Sequence, residues 1–552
     1  MTRHPARLTL IVLMLITLFP IASVGAQTCD PTQDYIARGR VALTPEGAPL
    51  AIAEYTCAIT LDPNAAPAYY GRAEASALNG DYASALPDYE AALSIEPDLA
   101  LAYYGRGIAR AALDDPNGAI ADFNAVEVRN LLLPGLLFER GSAYLAAGDP
   151  TAAVRDLTLV IDADSQATEA YIQRGLAYTA LGDDLAAIDD FSAALVQDPD
   201  NVEVYVYRAL RYITQGNLLA ALADYFSAVA LDPYNPVFYF QLGRIYSDLS
   251  ELERGNAQYS AAVTLDPRFT EAYFQRGSNY ARLADHARAV DDFSRAIALA
   301  PDYTDAYRQR VISLKALERY DEAIADYTAI IALAPDDIDA YWSRGELFFY
   351  IKTDYPAAIA DMSEVIARES GYADGEPFSL RGISYARTGS YASAIPDLQT
   401  YLGFVGEDPT TRLLLTVAQT VVGDLTGATE SVYAYADAAG LDLESAALII
   451  PDESLLLTTT GTPIDAVYTF VSLGETRVTI SAELNDGAPD PVLVLLDPNG
   501  DVIAANDDLD PSARSLTAVL FDVPLILPGT YTLLVTTLPD SIGTVRLTIS
   551  GA

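Results

Sequence analysis

The sequence predicts a mainly α-helical solenoid of about twelve helical hairpins followed by a small all-β domain, and three observations carry that expectation. The chain repeats itself every 34 residues from residue 32 to residue 442, a period that belongs to stacked supersecondary units. Each copy holds two stretches of helical apolar spacing around a short polar turn, and most copies close on a proline, which cannot continue a helix. After residue 442 the helical spacing stops, and short alternating segments punctuated by Gly, Pro and Asp take over.

The clearest copy is TEAYIQRGLAYTALGDDLAAIDDFSAALVQDPDN, residues 168–201. Successive copies begin at Thr32, Ala66, Ala100, Pro134, Thr168, Val202, Pro236, Thr270, Thr304 and Ile338. The tenth carries one inserted residue, placed around Tyr355, and a linker over 370–374 precedes two more copies that begin near Gly375 and Pro409. Position 8 is small (Gly39, Gly107, Gly175, Gly277), position 20 is alanine (Ala85, Ala187, Ala289) and position 24 is aromatic (Tyr89, Phe191, Phe293). These spacings resemble the tetratricopeptide repeat over residues 32–442. The resemblance implies a right-handed solenoid whose first helices line a concave groove for a protein or peptide partner. Repeats 3 and 4 lack the closing proline, and repeat 7 has Gly255 in place of alanine.

One pattern departs from that family and is read from this sequence alone. Position 7 is arginine in ten repeats, including Arg174, Arg208 and Arg276, and position 23 is acidic in the same ten, including Asp190, Asp224 and Asp292. The exceptions coincide: repeat 7 has Leu242 with Gln258, and repeat 12 has Leu415 with Ser431. In an antiparallel hairpin these positions face each other, so the expectation is an ion pair within each repeat. Most arginines then belong to the scaffold and are not an anion site.

The candidate partner surface lies at position 5, which reads Tyr70, Tyr104, Phe138, Ile172, Val206, Phe240, Phe274, Arg308 and Trp342 from repeat 2 to repeat 10. Rigid aromatic residues suit a binding surface; packing between first helices accounts for them equally well. Arg244, Arg282, Arg308 and Lys315 add a basic island in repeats 7 to 9, either a clamp for an acidic segment or scattered solvated charge.

The remaining features bound location and chemistry. A net charge of −43 with two lysines, Lys315 and Lys352, argues against nucleic acid and anionic membrane surfaces as partners. Residues 1–26 read as an export signal, with Arg3 and Arg7 before the apolar run Leu8 to Phe19 and a small-x-small site at Val24-Gly25-Ala26. Either the signal is cleaved, leaving no membrane span, or it is retained as an anchor. The destination is the cell surface, the periplasm or the medium, where the two cysteines, Cys29 and Cys57, are expected to form a disulfide.

The domain plan is therefore signal peptide 1–26, solenoid 27–442, linker 443–456 and β domain 457–552. Tyr468, Gly474, DPVLVLLDPNGDVIAANDD (490–508) and PGTY (528–531) resemble the bacterial pre-peptidase C-terminal domain, which implies a β-sandwich. Asp490, Asn506, Asp507 and Asp508 are candidate calcium ligands or solvated turn residues. No other cofactor is expected. His286 is the one histidine beyond the signal and lies in the inter-helix turn of repeat 8, and no phosphate loop or dinucleotide fingerprint occurs. The expected function is non-enzymatic: an extracytoplasmic protein-interaction scaffold. The alternative is a surface, glycan or matrix binder whose β domain recognises the ligand while the solenoid acts as a spacer.

Overall fold

The computed structural model describes residues 29–31, 33–129, 133 and 135–439, and then 447–448, 454–458, 465–472, 476–485, 491–497, 501–507, 517–525, 529–537 and 544–551. The expected signal segment lies outside these residues. Among the described residues no helix is long and apolar enough to cross a membrane. Among the described residues the helices follow one another as the two arms of twelve consecutive repeats, from Tyr35–Val41 and Ala48–Leu61 to Pro409–Val422 and Leu425–Ala439. They fall in two compact units, residues 1–249 and 250–552.

Local chemistry sets the hairpin. In repeat 5 the first helix, Thr168–Leu181, stops at Gly182, which adopts left-handed φ of 76°. Asp183 then caps the second helix, Asp184–Gln197, its side chain accepting from the Ala186 N–H at 3.1 Å. The same turn position is left-handed in the ten repeats after the first that are compared with repeat 5, by glycine at Gly80, Gly148, Gly216, Gly389 and Gly423 and by other residues at Asp114, Ser250, Ala284, Glu318 and Thr353. In most hairpins the residues at positions 8, 20 and 24 are buried. Ala187 and Phe191 are fully buried, and a Cβ on Gly175 would stand 2.7 Å from the Phe191 ring.

Two sequence expectations need correction. The extra residue of repeat 10 is not accommodated at Tyr355. The helix Ile338–Glu346 runs directly into a π-helical stretch, Leu347–Lys352, which takes up one residue before the turn. The Arg344–Asp361 pair consequently spans 17 residues where its counterparts span 16.

The second correction concerns 443–456, expected to be a linker. It contributes strand β1 (Ala447–Leu448) and most of β2 (Ser454–Thr458). The remaining strands are β3 (Asp465–Ser472), β4 (Thr476–Asn485), β5 (Pro491–Leu496), β6 (Val502–Asp507), β7 (Thr517–Leu525), β8 (Gly529–Thr537) and β9 (Thr544–Gly551). They form one sheet of order β1-β3-β8-β5-β6 and another of order β2-β9-β4-β7. The segment escaped a strand reading because SLLLT is a short apolar run without alternation, whereas β1 is two residues held parallel to β3.

The β region is anchored to the last hairpin. Leu413, Val417, Ala428, Val432 and Tyr435 of repeat 12 share one buried cluster with Val494 and Leu496 of β5 and Val502 of β6. The Val502 N–H donates to Thr429 Oγ1 at 2.8 Å. The open face of a terminal repeat must be covered for the stack to remain soluble, and here the sheet covers it. At the other end, Cys29 and Cys57 are bonded, closing a separation of 28 residues onto the second helix of repeat 1. A loop of that size stabilises by about 3–4 kcal/mol in the chain-entropy account.

Candidate partner-binding surface

The position-7 arginines face the position-23 carboxylates of their own repeats. Arg174 donates Nε to Asp190 Oδ2 at 2.8 Å and Nη2 to Asp190 Oδ1 at 2.7 Å. Arg208 with Asp224 and Arg276 with Asp292 repeat this two-pronged geometry within 2.9 Å. The carboxylate hydrogen bond holds Arg174 firmly protonated, raising its pKa. The guanidinium also lies 5.7 Å from the centroid of Tyr171, four positions into the same repeat, and Arg208 and Arg276 stack likewise on Tyr205 and Tyr273.

The third prong links neighbouring repeats, and sequence reasoning missed it. Nη1 of Arg174 donates to Thr158, of Arg208 to Ser192, of Arg276 to Ser260, of Arg310 to Ser294 and of Arg344 to Thr328. Each acceptor occupies position 25 of the preceding repeat. The signal was present in the sequence: Phe226 and Gln399 occupy that position immediately before the two repeats that lack the arginine. Each of these five arginines therefore clamps its own hairpin and ties it to the one before. These side chains are committed to structure.

The position-5 aromatics are half-buried, and those of repeats 2, 3 and 8 are backed by the position-24 ring of their own repeat. Ring centroids lie 6.3 Å apart for Tyr70 and Tyr89, 5.9 Å for Tyr104 and Phe123, and 5.7 Å for Phe274 and Phe293. Trp342 packs on Tyr372 at 5.7 Å. Phe138 and Phe240 are also half-buried, and Ile172 is buried. One edge of each ring thus belongs to the hairpin core while the other remains at the surface.

In the basic island, Arg308 is ion-paired to Asp337, whose carboxylate also caps the Ala340 N–H. Lys315 is exposed, and its charge bears on Glu346. Arg244, in the other unit, is exposed and reaches Gln241 at 3.4 Å. Arg308 is thus already engaged. Of the candidate calcium ligands, Asp490 and Asp508 lie outside the described residues, whereas Asn506 and Asp507 fall in β6, paired in register with Leu493 and Val492.

Half-buried acids accompany the rings of repeats 2 and 4. Glu74 accepts from Tyr89 Oη at 2.6 Å, and burial raises its pKa despite that hydrogen bond. Burial similarly raises Glu139 and pushes up the Tyr104 hydroxyl. A carboxyl whose pKa is higher folded than unfolded holds its proton more readily in the native state. Stability therefore falls as pH rises through that window. Glu74→Gln keeps an oxygen for Tyr89 and removes the ionisation. It should raise the melting temperature at pH 7, with the gain vanishing as pH falls below the unfolded carboxyl range. An equal gain at every pH would contradict the burial argument.

Antiparallel helical hairpins of one size, stacked through a small residue at position 8 and a ring at position 24, define a helical-repeat scaffold. The chain belongs to the tetratricopeptide repeat family, whose model matches residues 36–100, 79–130, 138–202, 185–236, 240–304 and 308–373, more than half of the chain. No curated protein matches it. Among solved structures it is similar to a tetratricopeptide repeat protein from Parabacteroides merdae, at 22% identity over 46% of this chain and 99% of that chain, with a TM-score of 0.31. The C-terminal part of a TPR repeat-containing protein from Cytophaga hutchinsonii matches at 19% identity over 43% of this chain and 97% of that one, TM-score 0.40. YrrB, described as a TPR protein with an unusual peptide-binding site, matches at 23% identity over 32% and 92% of the two chains, TM-score 0.30.

Proposed function

We propose that this chain is an exported, non-catalytic scaffold that holds a protein or peptide partner along the first-helix face of its repeats. Its place is the cell surface, the periplasm or the medium. The observation that carries the reading is the row of position-5 rings. Three of them are fixed from behind by a ring of their own hairpin, Tyr70 by Tyr89, Tyr104 by Phe123 and Phe274 by Phe293, and stay half-exposed at the surface. A rigid aromatic loses little conformational freedom when it binds, which is why such residues anchor interfaces. Membership of a family whose proteins bind protein or peptide partners supports the same reading. The committed arginines leave a surface that is strongly acidic around these anchors, which suits a neutral or basic partner.

A second reading assigns recognition to the β region, taken as a pre-peptidase C-terminal-like sandwich that binds glycan or matrix, with calcium at Asp490, Asn506, Asp507 and Asp508. The buried cluster joining repeat 12 to β5 and β6 favours it, because a domain presented on a spacer needs a firm mount. The full chain and a Tyr104→Leu/Phe274→Leu variant, used to capture proteins from an extracytoplasmic fraction, separate the two. Leucine keeps the apolar contact and removes the aromatic edge. A polypeptide bound by the wild type and lost from the variant supports the groove. Unchanged capture by the variant removes it in favour of the β region.

A further inference from the structure

Repeat 7 departs from the other repeats at several positions, and one departure opens a site. Position 21, the first residue after the buried position-20 alanine, is Ile, Leu or Val in ten repeats, among them Ile188, Leu222, Val290 and Ile324. The exceptions are Thr429 in repeat 12 and Asn256 in repeat 7. Thr429 has a docking role: its Oγ1 accepts the Val502 N–H of the sheet that covers the last hairpin. Asn256 is 7% exposed, and its Oδ1 accepts no hydrogen bond. A buried acceptor left open is unfavourable where a leucine would fit. Its presence at a position otherwise aliphatic therefore points to a donor that arrives from outside.

The surroundings say what kind of donor. Asn256 lines a cavity of about 450 Å³ between the second helix of repeat 7, Leu252–Leu265, and the inter-helix turn of repeat 8. Glu253 and Ser260 flank it on the same helix face at i−3 and i+4. Ser260 is already committed, donating to the Asn256 carbonyl at 2.7 Å and accepting from Arg276 at 2.9 Å. Arg288 is committed too: it donates Nε to Asp285 at 2.6 Å and lies 4.6 Å from the Tyr280 ring centroid. What the cavity still offers is the Asn256 Oδ1 and, on its exposed rim, the Glu253 carboxylate. Two acceptors, one of them anionic, on a chain of net charge −43 call for a cationic donor. Their helical i, i+3 spacing suits the freely rotating donors of an ammonium better than the planar fork of a guanidinium.

We propose that this cavity receives a lysine side chain of a basic protein partner. The ammonium donates to Asn256 Oδ1 and pairs with Glu253, and the methylene stem lies along Ala257 and Leu283. The site is separate from the position-5 surface and stands whether or not that surface binds a peptide.

Titration calorimetry on the full chain at low ionic strength tests it, with the acetylated, amidated peptide Gly-Ala-Lys-Ala-Gly and its norleucine counterpart as probes. The lysine peptide should bind and the norleucine peptide should not. Asn256→Leu, the residue type found at this position in other repeats, should raise the melting temperature and weaken lysine-peptide binding about tenfold or more. Glu253→Gln should weaken it about fivefold and leave the melting temperature unchanged. Equal binding by wild type and Asn256→Leu, equal binding of the two peptides, or no binding of either to the wild type overturns the proposal.

Discussion

Replacing Arg140 with leucine should destabilise repeat 4 by about 3–5 kcal/mol, the cost of stranding a buried charge. Arg140 is the most deeply placed of the ladder arginines, with side chains 5% exposed for the arginine and 1% for its partner Asp156. Its Nε donates to Asp156 at 2.6 Å, and Nη1 reaches Asn124 of the preceding repeat at 2.9 Å. Without it, Asp156 keeps only the Nε of Arg155, a 63%-exposed side chain 3.3 Å away. Arg319 with Glu322 is the control, since both side chains are well exposed and Arg319→Leu should cost at most about 1 kcal/mol. The double variant Arg140→Leu/Asp156→Leu should recover most of the loss, because a buried pair replaced by apolar side chains is often near neutral. Solenoids unfold in parts, so the measurement is hydrogen exchange of the Leu136–Ala146 and Pro150–Ala163 hairpin alongside urea melts. Equal costs for Arg140→Leu and Arg319→Leu would show that burial does not set the strength of these pairs.

That ladder also shows how far the sequence could be read. The Arg–Asp pairing was legible because two repeats lose both partners at once, as Leu242 with Gln258 and Leu415 with Ser431. The bond to the preceding repeat was equally present in the letters, in Phe226 before Leu242, but a Ser or Thr at position 25 is an ordinary polar helix residue until the arginine that reaches it is placed in space. The short segments between Gly, Pro and Asp after residue 442 were visible as strands, and they include β3, β4, β5 and β8. Their anchoring was not visible. Leu413, Val417 and Val432 read as ordinary inward positions of a hairpin, and nothing local distinguishes a face buried by a next repeat from one buried by a sheet. The π-helical Leu347–Lys352 was hidden for a similar reason, since an inserted residue changes the spacing without stating which turn takes it up. The open acceptor of Asn256 required the three-dimensional surroundings.

Phe191→Ala should cost about 3–5 kcal/mol, the range for deleting a fully buried ring, whereas Phe191→Leu should cost less than about 1.5 kcal/mol. The ring is fully buried among Ile172, Ala187, Ala194, Leu195 and Val204, and its neighbour Tyr207 stands 5.7 Å away. It presses on the first helix at Gly175, where a Cβ would meet ring carbons at 2.7, 2.9 and 3.1 Å. The chain itself shows which exchanges this contact accepts. Repeats 4 and 11 place Leu157 and Leu398 opposite Gly141 and Gly382, and repeats 2 and 6 place Ala73 and Ala209 opposite Tyr89 and Tyr225. The contact thus accepts alanine opposite a tyrosine ring, and a leucine at position 24 stands as close to its glycine as the Phe191 ring does, 2.8 Å from the Cβ site of Gly141 and 2.9 Å from that of Gly382. Gly175→Ala alone should cost about 1 kcal/mol, near the low end for overpacking, and that cost should shrink in a Phe191→Ala background because removing the ring leaves room beside the new methyl. Such coupling is expected of side chains in direct contact. If Phe191→Leu proved as costly as Phe191→Ala, or if the Gly175→Ala cost were the same in both backgrounds, contact between these two positions would not be what closes the hairpin.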